Sequence, residues 1–299
     1  MSADDTLVRP ASSQDAPEIA RIAAANGQPS QDSGRDPRYV AHLARHGRLL
    51  VAQAGAAQAG GAQVGAAQAG AAQAGAAQAG GRLDGFAATR QIGEVTFLCD
   101  LFVDPAIHGK GTGRRLLNRA FGGTAQRATF SSQDPRALPL YVSFGLVPRW
   151  PLLYLSGDTA TLTRAPGEFR ARRTEPVDAA AAEKALTGVD REPDYLYWAA
   201  TRGGGALVVE QAGAVIAAGA VTESILVHLA VDDAADQVTA LLATLETLTS
   251  PRIRLCLPGP HPALGTLLRA GFRIDDFDHY MSTSENLIGA HWVLSPALA

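Results

Sequence analysis

The hydrophobic positions near the start of the chain predict a strand followed by a short amphipathic helix. The strand is the run LVRP, and the helix after it carries its apolar side chains on one face, at Ile19, Ile22 and Ala23. Asp15 and Pro17 are typical of a helix start, and Asn26-Gly27 is typical of a helix end. The chain therefore opens with a β-strand and a one-sided helix.

The same order of patterns returns in the second half of the chain. The segment FRARRTEPVDAAAAEKALTG again combines a strand, an acidic cap, a short helix and a terminal Gly. Later spacings also agree, with 42 residues from Val103 to Gly145 and 40 residues from Val231 to Gly271. Self-similarity at one long period favours a duplicated domain over a solenoid, which needs more and shorter repeats.

A thirty-residue low-complexity segment interrupts the first half. Residues 52–81 are built almost entirely from the unit AAQAG, which offers too little apolar area to offset the ordering of its backbone. Both flanks, RLLVAQ and RLDGFAATR, have strand character, so we predict an insertion at a hairpin tip. A low-complexity interaction surface is the alternative. The predicted domains are residues 1–160, which carry the insertion, and residues 165–299.

Composition and charge narrow the class of protein. With 46% hydrophobic and 18% charged residues, the chain is suited to a folded globular protein. The net charge of -3 offers no basic excess for a phosphate backbone, so we expect no nucleic-acid partner. Cys99 and Cys256 lie 157 residues apart, which fits neither a zinc site nor a disulfide scaffold and favours the cytoplasm. Neither a secretory signal nor a membrane-spanning run is visible, so we expect no membrane partner.

A Gly-rich turn between a predicted strand and a predicted helix is the strongest chemical signal. The apolar run Val95–Val103 is followed by Gly109, Gly111 and Gly113, and then by a helix. The apolar stripe of that helix consists of Leu116, Leu117, Ala120 and Phe121. Backbone N–H groups at a helix start are unpaired and carry partial positive charge, so a phosphate or pyrophosphate fits there. Positive side chains surround the opening, namely Lys110, Arg114 and Arg115.

The spacing of this turn differs from that of nucleotide-hydrolase and dinucleotide-binding loops. The run from His108 to Gly113 instead resembles the [QR]xxGx[GA] acyl-CoA pyrophosphate loop of the GNAT superfamily of N-acetyltransferases, with His108 where Gln or Arg is usual. The preceding VDP and the following LL are also typical of that family. A Gly-rich turn that binds nothing is the alternative reading of these residues.

A second segment resembles the same family. Residues 134–146, DPRALPLYVSFGL, are similar to its pattern NxxAxxxYxxxGF, with Asp134 in place of Asn and Leu146 in place of Phe. Asp134-Pro135 is also a sufficient helix start without any chemical role, so Asp134 is not a candidate site residue. The resemblance implies that Tyr141 protonates the departing thiolate of coenzyme A, whereas burial of an amphipathic ring is the bland alternative.

The resemblance also implies how acetyl-CoA is held and used. It places the pantetheine arm against the backbone of Leu101 and Val103, with the Leu101 N–H stabilising the developing oxyanion. The amine attacks directly, without an acyl-enzyme. The implied cofactor-binding residues are Leu101, Val103, His108, Gly109, Lys110, Gly111, Thr112, Gly113 and Arg114.

The base that accepts the amine proton is not assigned by the sequence. Many family members use a Glu or His at the positions of Phe97 and Cys99, and neither residue is a normal base. Cys99 fits a small core residue better than a nucleophile, because an apolar strand raises the pKa of a thiol. Asp100 and Glu94 are weak candidates, and a water chain or an already neutral amine would also serve.

Two histidines on a predicted helix have the spacing of a metal-ligand pair. His42 and His46 share one helix face, but a third ligand is missing, so a solvated face is the better interpretation and we expect no metal. The resemblance places this helix near the acceptor pocket, where Tyr39 and His42 would touch the substrate.

The second half lacks the Gly-rich turn. Its equivalent segment, DDAADQVTALL, contains no Gly and three aspartates, and Leu267 takes the position of Tyr141. We therefore expect a degenerate half that shapes the acceptor pocket or a dimer surface, which leaves a homodimer open. The aromatic side chains of Tyr195, Tyr197 and Trp198 could line such a pocket, but packing in the core is the favoured interpretation, because large aromatic side chains are usually buried.

The combined prediction is an α+β protein of two tandem GNAT-like domains, each with a central mixed, mostly antiparallel sheet flanked by helices. The implied function is transfer of an acetyl group from acetyl-CoA to a primary amine of a small molecule or peptide. A non-catalytic acyl-CoA-binding regulatory protein is the alternative. The identity of the acceptor is beyond the sequence, because acceptor pockets are set by variable loops.

Overall fold

The structure is a computed structural model that describes residues 6–27, 37–54 and 81–299. Most of the AAQAG repeat, residues 55–80, lies outside the described residues, and its role as a hairpin insertion stays a prediction. The chain divides into two compact units, one made of residues 1–89 and 100–122 and the other of residues 90–99 and 123–299.

In its described residues, the first unit contains a small antiparallel sheet and three α-helices. Its elements are β1 (Thr6–Pro10), α1 (Ala16–Ala25), α2 (Pro37–His46), β2 (Arg48–Ala54), most of β3 (Leu83–Ile92), the end of β4 (Val95–Val103) and α3 (Thr112–Phe121). Strand β2 pairs antiparallel with both β1 and β3, so the two flanks of the AAQAG repeat are paired strands. The N–H of Asp104 donates to the carbonyl of Asp84 at 2.8 Å, which fixes the end of β4 against β3.

The helix signals of the first unit are confirmed. Asp15 is the N-cap of α1 and Asn26 its C-cap. The predicted stripe of α3 is buried, and the helix ends at Gly122 with a φ of 52°. The core of this unit is built from both helices and strands, including Ile22, Leu43, Leu50, Phe86 and Leu117.

The second unit contains a larger mixed sheet. Its elements are the start of β4, β5 (Arg127–Ser131), α4 (Ala137–Val142), β6 (Val147–Asp158), β7 (Phe169–Thr174), α5 (Pro176–Thr187), α6 (Glu192–Ala199), β8 (Gly205–Gln211), β9 (Ala214–Val221), β10 (Ile225–Val231), α7 (Gln237–Leu245), β11 (Arg252–Pro258), α8 (Leu264–Arg269) and β12 (Arg273–Ser282). The strand order is β4-β5-β12-β6-β11-β10-β9-β8-β7. The pairs β4–β5 and β10–β11 are parallel and the others antiparallel, so the predicted mixed, mostly antiparallel α+β fold is confirmed.

Two strands of this sheet are exchanged between the predicted halves. Strand β12 lies between β5 and β6, with Tyr280 opposite both Phe130 and Trp150. Strand β6 continues the sheet by pairing with β11, from Asp158 opposite Arg252 to Leu152 opposite Pro258. The halves thus share main-chain hydrogen bonds across the predicted boundary between residues 160 and 165, and that boundary stays a prediction.

The duplication is visible in local geometry. The carboxylate of Asp104 accepts the N–H of Ala106 at 3.0 Å after β4, and the carboxylate of Asp232 accepts the N–H of Ala234 at 2.8 Å after β10. The helices α4 and α8 are each followed by a Gly of positive φ, Gly145 at 82° and Gly271 at 91°. The same turn and the same helix stop therefore recur at matching places in the two halves.

Candidate functional site

The Gly-rich turn of the first unit has the geometry of an anion cradle. Gly109 and Gly111 have φ values of 83° and 80°, which residues with a Cβ rarely adopt. The helix α3 starts at Thr112, and its first hydrogen bond runs from the N–H of Arg115 to the carbonyl of Gly111 at 3.1 Å. The amides of the first turn precede that bond and point along the helix axis toward the opening. Gly113 lies within this first turn, where a small residue also suits a close approach.

A buried carboxylate fixes the start of the turn. Asp104 receives the N–H of Ala106 and ion pairs with Arg82 at 3.0 Å and Arg21 at 2.9 Å. The Ala106 N–H, followed by the two guanidinium groups, lowers the pKa of Asp104 to about 2 against the opposing effect of burial. The charge of Asp104 is thus used within the protein, and it anchors the segment between β4 and the turn.

His108 and Val103 are brought together by the structure. The Nε2 atom of His108 lies 3.0 Å from the carbonyl oxygen of Val103, and the same oxygen accepts the side-chain amide of Asn26 at 3.1 Å. The ring of His108 therefore holds the turn against the end of β4. This is a physical reason for a ring donor at the position where the family has Gln or Arg.

The cationic side chains divide into two roles. Lys110 and Arg114 are exposed at the opening. Arg115 instead donates to the Thr6 hydroxyl at 2.9 Å and to the Lys110 carbonyl at 3.1 Å. These hydrogen bonds connect the turn to β1 and stabilise it. Left-handed glycines, a helix start and exposed cations together fit a phosphate or pyrophosphate group.

Tyr141 belongs to the second unit and is 6% exposed on α4. Its carbonyl accepts the N–H of Leu146 at 3.2 Å, which closes the helix through Gly145. The helix starts at Ala137, two residues later than the Asp134-Pro135 signal predicts. The Asp134 carboxylate accepts the N–H of Arg136 at 2.8 Å and ion pairs with the same side chain, so it caps the turn before α4.

A buried acid on β4 emerges as the strongest candidate base. The hydroxyl of Tyr39 on α2 donates to Oδ2 of Asp100 at 2.8 Å, and Asp100 is 6% exposed. Burial raises the pKa of Asp100 to about 6, and the Tyr39 hydrogen bond partly opposes this rise. Glu94, the other candidate, is exposed in the turn between β3 and β4. The sequence places Tyr39 and Asp100 on separate elements 61 residues apart, and nothing in their local patterns links them.

The remaining residues considered as bases or metal ligands lie on β4 and α2, and most of them are in packed surroundings. Phe97 is fully buried with its ring 5.2 Å from that of Phe130, and Cys99 beside it is half-buried. The predicted solvated face is wrong for His42, which is 7% exposed because it lies on the buried side of α2, whereas His46 is exposed with its ring 5.2 Å from that of His42. Across residues 6–27, 37–54 and 81–299, no cluster of three His, Cys, Asp or Glu could hold a metal ion.

The aromatic group of the second half packs in the core. Tyr195 is fully buried and Trp198 is 3% exposed. The Tyr195 hydroxyl donates to Glu183 at 2.7 Å, and His228 Nε2 lies 3.0 Å from the same carboxylate. The core interpretation is therefore confirmed for Tyr195 and Trp198, whereas Tyr197 is half-buried. No helix in the described part of the chain is long and apolar enough to cross a membrane.

Comparisons with known proteins agree with this geometry. Residues 45–147 match the family described as the acetyltransferase (GNAT) domain. A search of curated proteins finds no match. Among solved structures, the chain is similar to a Pyrococcus horikoshii protein named as an acetyltransferase, with a TM-score of 0.68 and 14% identity over 100% of this chain and 98% of that one.

Two further structures extend the comparison. A tandem GNAT protein from the clavulanic acid biosynthesis pathway has a TM-score of 0.59 and 13% identity, over 93% of this chain and 98% of that one. A GCN5-related N-acetyltransferase from Kribbella flavida has a TM-score of 0.57 and 15% identity, over 94% of this chain and 71% of that one. At these identities the likeness concerns the fold alone.

Proposed function

We propose, on the premise that this chain carries a GNAT domain within a tandem GNAT fold, that it transfers an acetyl group from acetyl-CoA to a primary amine of a small molecule or peptide. The fold supports acyl transfer in general. The observation that carries the proposal is the Gly-rich turn at the start of α3, with Gly109 and Gly111 in left-handed conformations. Glycines at these positions let backbone N–H groups approach an anion closely, and the exposed Lys110 and Arg114 add positive charge at the same opening.

The residues that would hold acetyl-CoA follow from the turn and from the resemblance. The N–H groups at the start of α3, with Lys110 and Arg114, would hold the pyrophosphate. The backbone of Leu101 and Val103 would hold the pantetheine arm. Bound acetyl-CoA supplies an activated acyl group as a thioester. The Leu101 N–H would orient the acetyl carbonyl by donating to its oxygen.

Asp100 is the group that we propose as acceptor of the amine proton. A carboxylate with a pKa near 6 is ionised at neutral pH yet basic enough to take a proton. Tyr39 orients it through the 2.8 Å hydrogen bond. Tyr141 is proposed as the acid that protonates the thiolate, on the resemblance of residues 134–146 and on its burial on α4.

The second half completes the proposal. We propose that it is a degenerate GNAT-like half that shapes the acceptor pocket or a dimer surface, in a cytoplasmic protein. Asp232, Asp233 and Asp236 would repel a pyrophosphate at the place where the first half has its glycines. The alternative function is a non-catalytic acyl-CoA-binding regulatory protein.

The test combines cofactor binding with turnover. Calorimetric titration of acetyl-CoA should give one site per chain, and Gly111→Asp should abolish it, because a Cβ and a negative charge enter the cradle. A panel of primary amines should then reveal coenzyme A release. Tyr141→Phe should lower kcat by at least tenfold, with Tyr197→Phe as the matched control. Binding without turnover on any amine would favour the regulatory protein, and an unchanged kcat in Tyr141→Phe would remove Tyr141 from the mechanism.

A further inference from the structure

The parallel strand pair of the second half is open along part of its length. Strands β10 and β11 pair only at Ile225 opposite Arg254 and Leu226 opposite Leu255, although the strands continue to Val231 and to Pro258. Beyond Leu226, the edges that face each other need other hydrogen-bond partners, because buried backbone groups are rarely left unpaired.

A segment of the chain itself supplies those partners. The N–H of Leu229 on β10 donates to the carbonyl of Val293 at 3.1 Å, and the N–H of Val293 donates back to Leu229 at 3.0 Å. On the other side, the N–H of Leu294 donates to the carbonyl of Cys256 on β11 at 3.2 Å. Val293 and Leu294 are fully buried. The segment therefore bridges the two strands where their own pairing has stopped.

The side chains before this bridge reach the end of β10. The indole N–H of Trp292 donates to the carbonyl of Val231 at 3.2 Å, and Nε2 of His291 lies 3.3 Å from the same oxygen. His291 Nε2 also lies 2.9 Å from the carboxylate of Asp233, in the acidic turn after β10. The segment thus runs from the acidic turn into the opening between the strands.

The internal repeat identifies what this opening corresponds to. Aligning LCDLFVD with LVHLAVD places Leu229 at the position of Leu101 and Val231 at the position of Val103. These are the two residues to which the proposed function assigns the pantetheine arm. The shared carboxylate-capped turns after β4 and β10 support the same alignment. The turn after the strand differs in charge between the halves. In the second half it carries Asp233, which the imidazole of His291 contacts, whereas in the first half it carries the cations Lys110 and Arg114.

We propose, resting on the proposed function, that residues 291–294 are an internal peptide ligand of the second half, seated where the first half would hold pantetheine. The opening between β10 and β11 is a strand-addition site for peptide backbone. It is closed to acyl-CoA both by this occupant and by the acidic turn. The chain therefore binds a single acyl-CoA, and the second half is completed by its own segment instead of by a cofactor.

Hydrogen exchange of the full chain tests the occupant directly. The amides of Leu229, Val293 and Leu294 should exchange slowly in the wild type. Val293→Pro removes one N–H donor, and it should speed exchange at Leu229 and Leu294 at least tenfold more than Val293→Ala, which keeps both backbone groups. Rapid exchange at Leu229 in the wild type, or equal effects of the two substitutions, would overturn the proposal.

Stoichiometry tests the closure of the site and separates it from the proposed function. Acetyl-CoA should bind once per chain and not at all in Gly111→Asp. Two sites in the wild type, with one of them retained in Gly111→Asp, would show that the second half admits the cofactor and would overturn the closure. Absence of all binding in the wild type would instead contradict the proposed function, and the exchange experiment would still decide whether residues 291–294 fill the opening.

Discussion

Asp100 is a carboxyl group whose charge is expensive to keep, because burial raises its pKa to about 6 and only a tyrosine hydroxyl opposes the rise. If it accepts the amine proton, activity must fall as the pH drops through its pKa, since the protonated acid is not a base. With Asp100 as the base, the residue pair Tyr39 and Asp100 would set the acidic limb of the pH profile.

Tyr39→Phe should move that limb to higher pH. The Tyr39 hydrogen bond stabilises the ionised form of Asp100, so its removal raises the pKa further and leaves less base at a given pH below neutrality. The measurement is kcat/KM between pH 5 and pH 9, with Tyr197→Phe as the control for loss of a hydroxyl elsewhere. Asp100→Asn should abolish the limb and lower turnover at neutral pH about a hundredfold. A limb that stays in place in Tyr39→Phe would contradict the assignment of Asp100.

The fully buried group Glu183, Tyr195 and His228 makes a prediction about stability. Burial alone would raise the pKa of Glu183, but the charge and hydrogen bond of His228, together with Arg191 and Tyr195, outweigh it and lower the pKa. A carboxyl with a lowered pKa stabilises the fold above its unfolded pKa, and that contribution is lost as the pH falls through the folded value.

Glu183→Gln should lower the free energy of unfolding at pH 7 by about 3 kcal/mol, because it disrupts the buried hydrogen bonds that the Glu183 carboxylate accepts from Tyr195 and His228. Wild-type stability should decline below a pH of about 4.5, and this decline should be smaller in the variant. Urea unfolding at pH 3.5 to 7 measures both effects. Lys184→Gln, which breaks the exposed pair with Asp190, is the matched control and should destabilise the protein much less, because water screens an exposed ion pair. Equal costs for the two substitutions would contradict the buried pair.

Sequence reasoning found the contacts that are local and missed those that are not. The turn from His108 to Gly113 is contiguous, so its glycines and cations are visible as one pattern. The Tyr39–Asp100 and Glu183–His228 contacts join residues 61 and 45 positions apart, on elements whose packing no local periodicity determines. Both pairs consist of polar residues on otherwise apolar faces, and only the fold tells which acid meets which partner.

At the scale of elements, the Gly-rich turn predicts that two similar Gly→Ala substitutions have the same effect on stability but different effects on acetyl-CoA binding. Gly109 and Gly123 have nearly the same backbone conformation, with φ values of 83° and 86°, and a Cβ at either position meets no atom within 4 Å. Substitution by Ala should therefore cost about 1 to 2 kcal/mol of stability in each case. Only Gly109→Ala should also weaken acetyl-CoA binding, by at least tenfold, because only its Cβ enters the cradle.

Thermal unfolding and calorimetric titration of both variants give the two readouts. Comparable losses of affinity in Gly109→Ala and Gly123→Ala would mean that the turn does not hold the cofactor.

Long periodic elements were predictable and short ones less so. The apolar stripe of α3 recurs from turn to turn, and α1 has a cap signal at each end. The structure has both helices as expected. The six-residue helix α4 starts later than its Asp-Pro signal indicates, because the Asp134 carboxylate caps a turn at Arg136 before the helix begins. In so short an element a single local hydrogen bond decides where the helix starts.

At the scale of the whole molecule, the exchange of β6 and β12 predicts that the halves do not fold separately. A fragment of residues 1–160 would lack β12 beside β5 and both neighbours of β6. A fragment of residues 165–299 would lack β6 between β11 and β12. Each fragment alone would expose unpaired strand edges, so we expect aggregation or loss of cooperative unfolding.

Co-expression of the two fragments should restore a one-to-one complex with cooperative unfolding. Circular dichroism and analytical ultracentrifugation of each fragment alone and of the pair are the measurements. A monomeric fragment 1–160 with its own sharp transition would contradict the structural role of the exchange. The duplication itself was predictable from the matched spacings of the two halves, but the exchange was not, because a strand's periodicity is the same whichever neighbour it pairs with.

The same exchange has a consequence for how the protein is made. The slot between β5 and β6 is filled by β12, which is synthesised about 115 residues after β6. At typical rates of about 5 to 20 residues per second, the growing chain carries that open slot for roughly 6 to 23 seconds on the ribosome. During that interval β5 and β6 offer bare edges to any neighbouring nascent chain. The demand for a chaperone should therefore begin once β6 has been made and last until β12 is available to fill the slot.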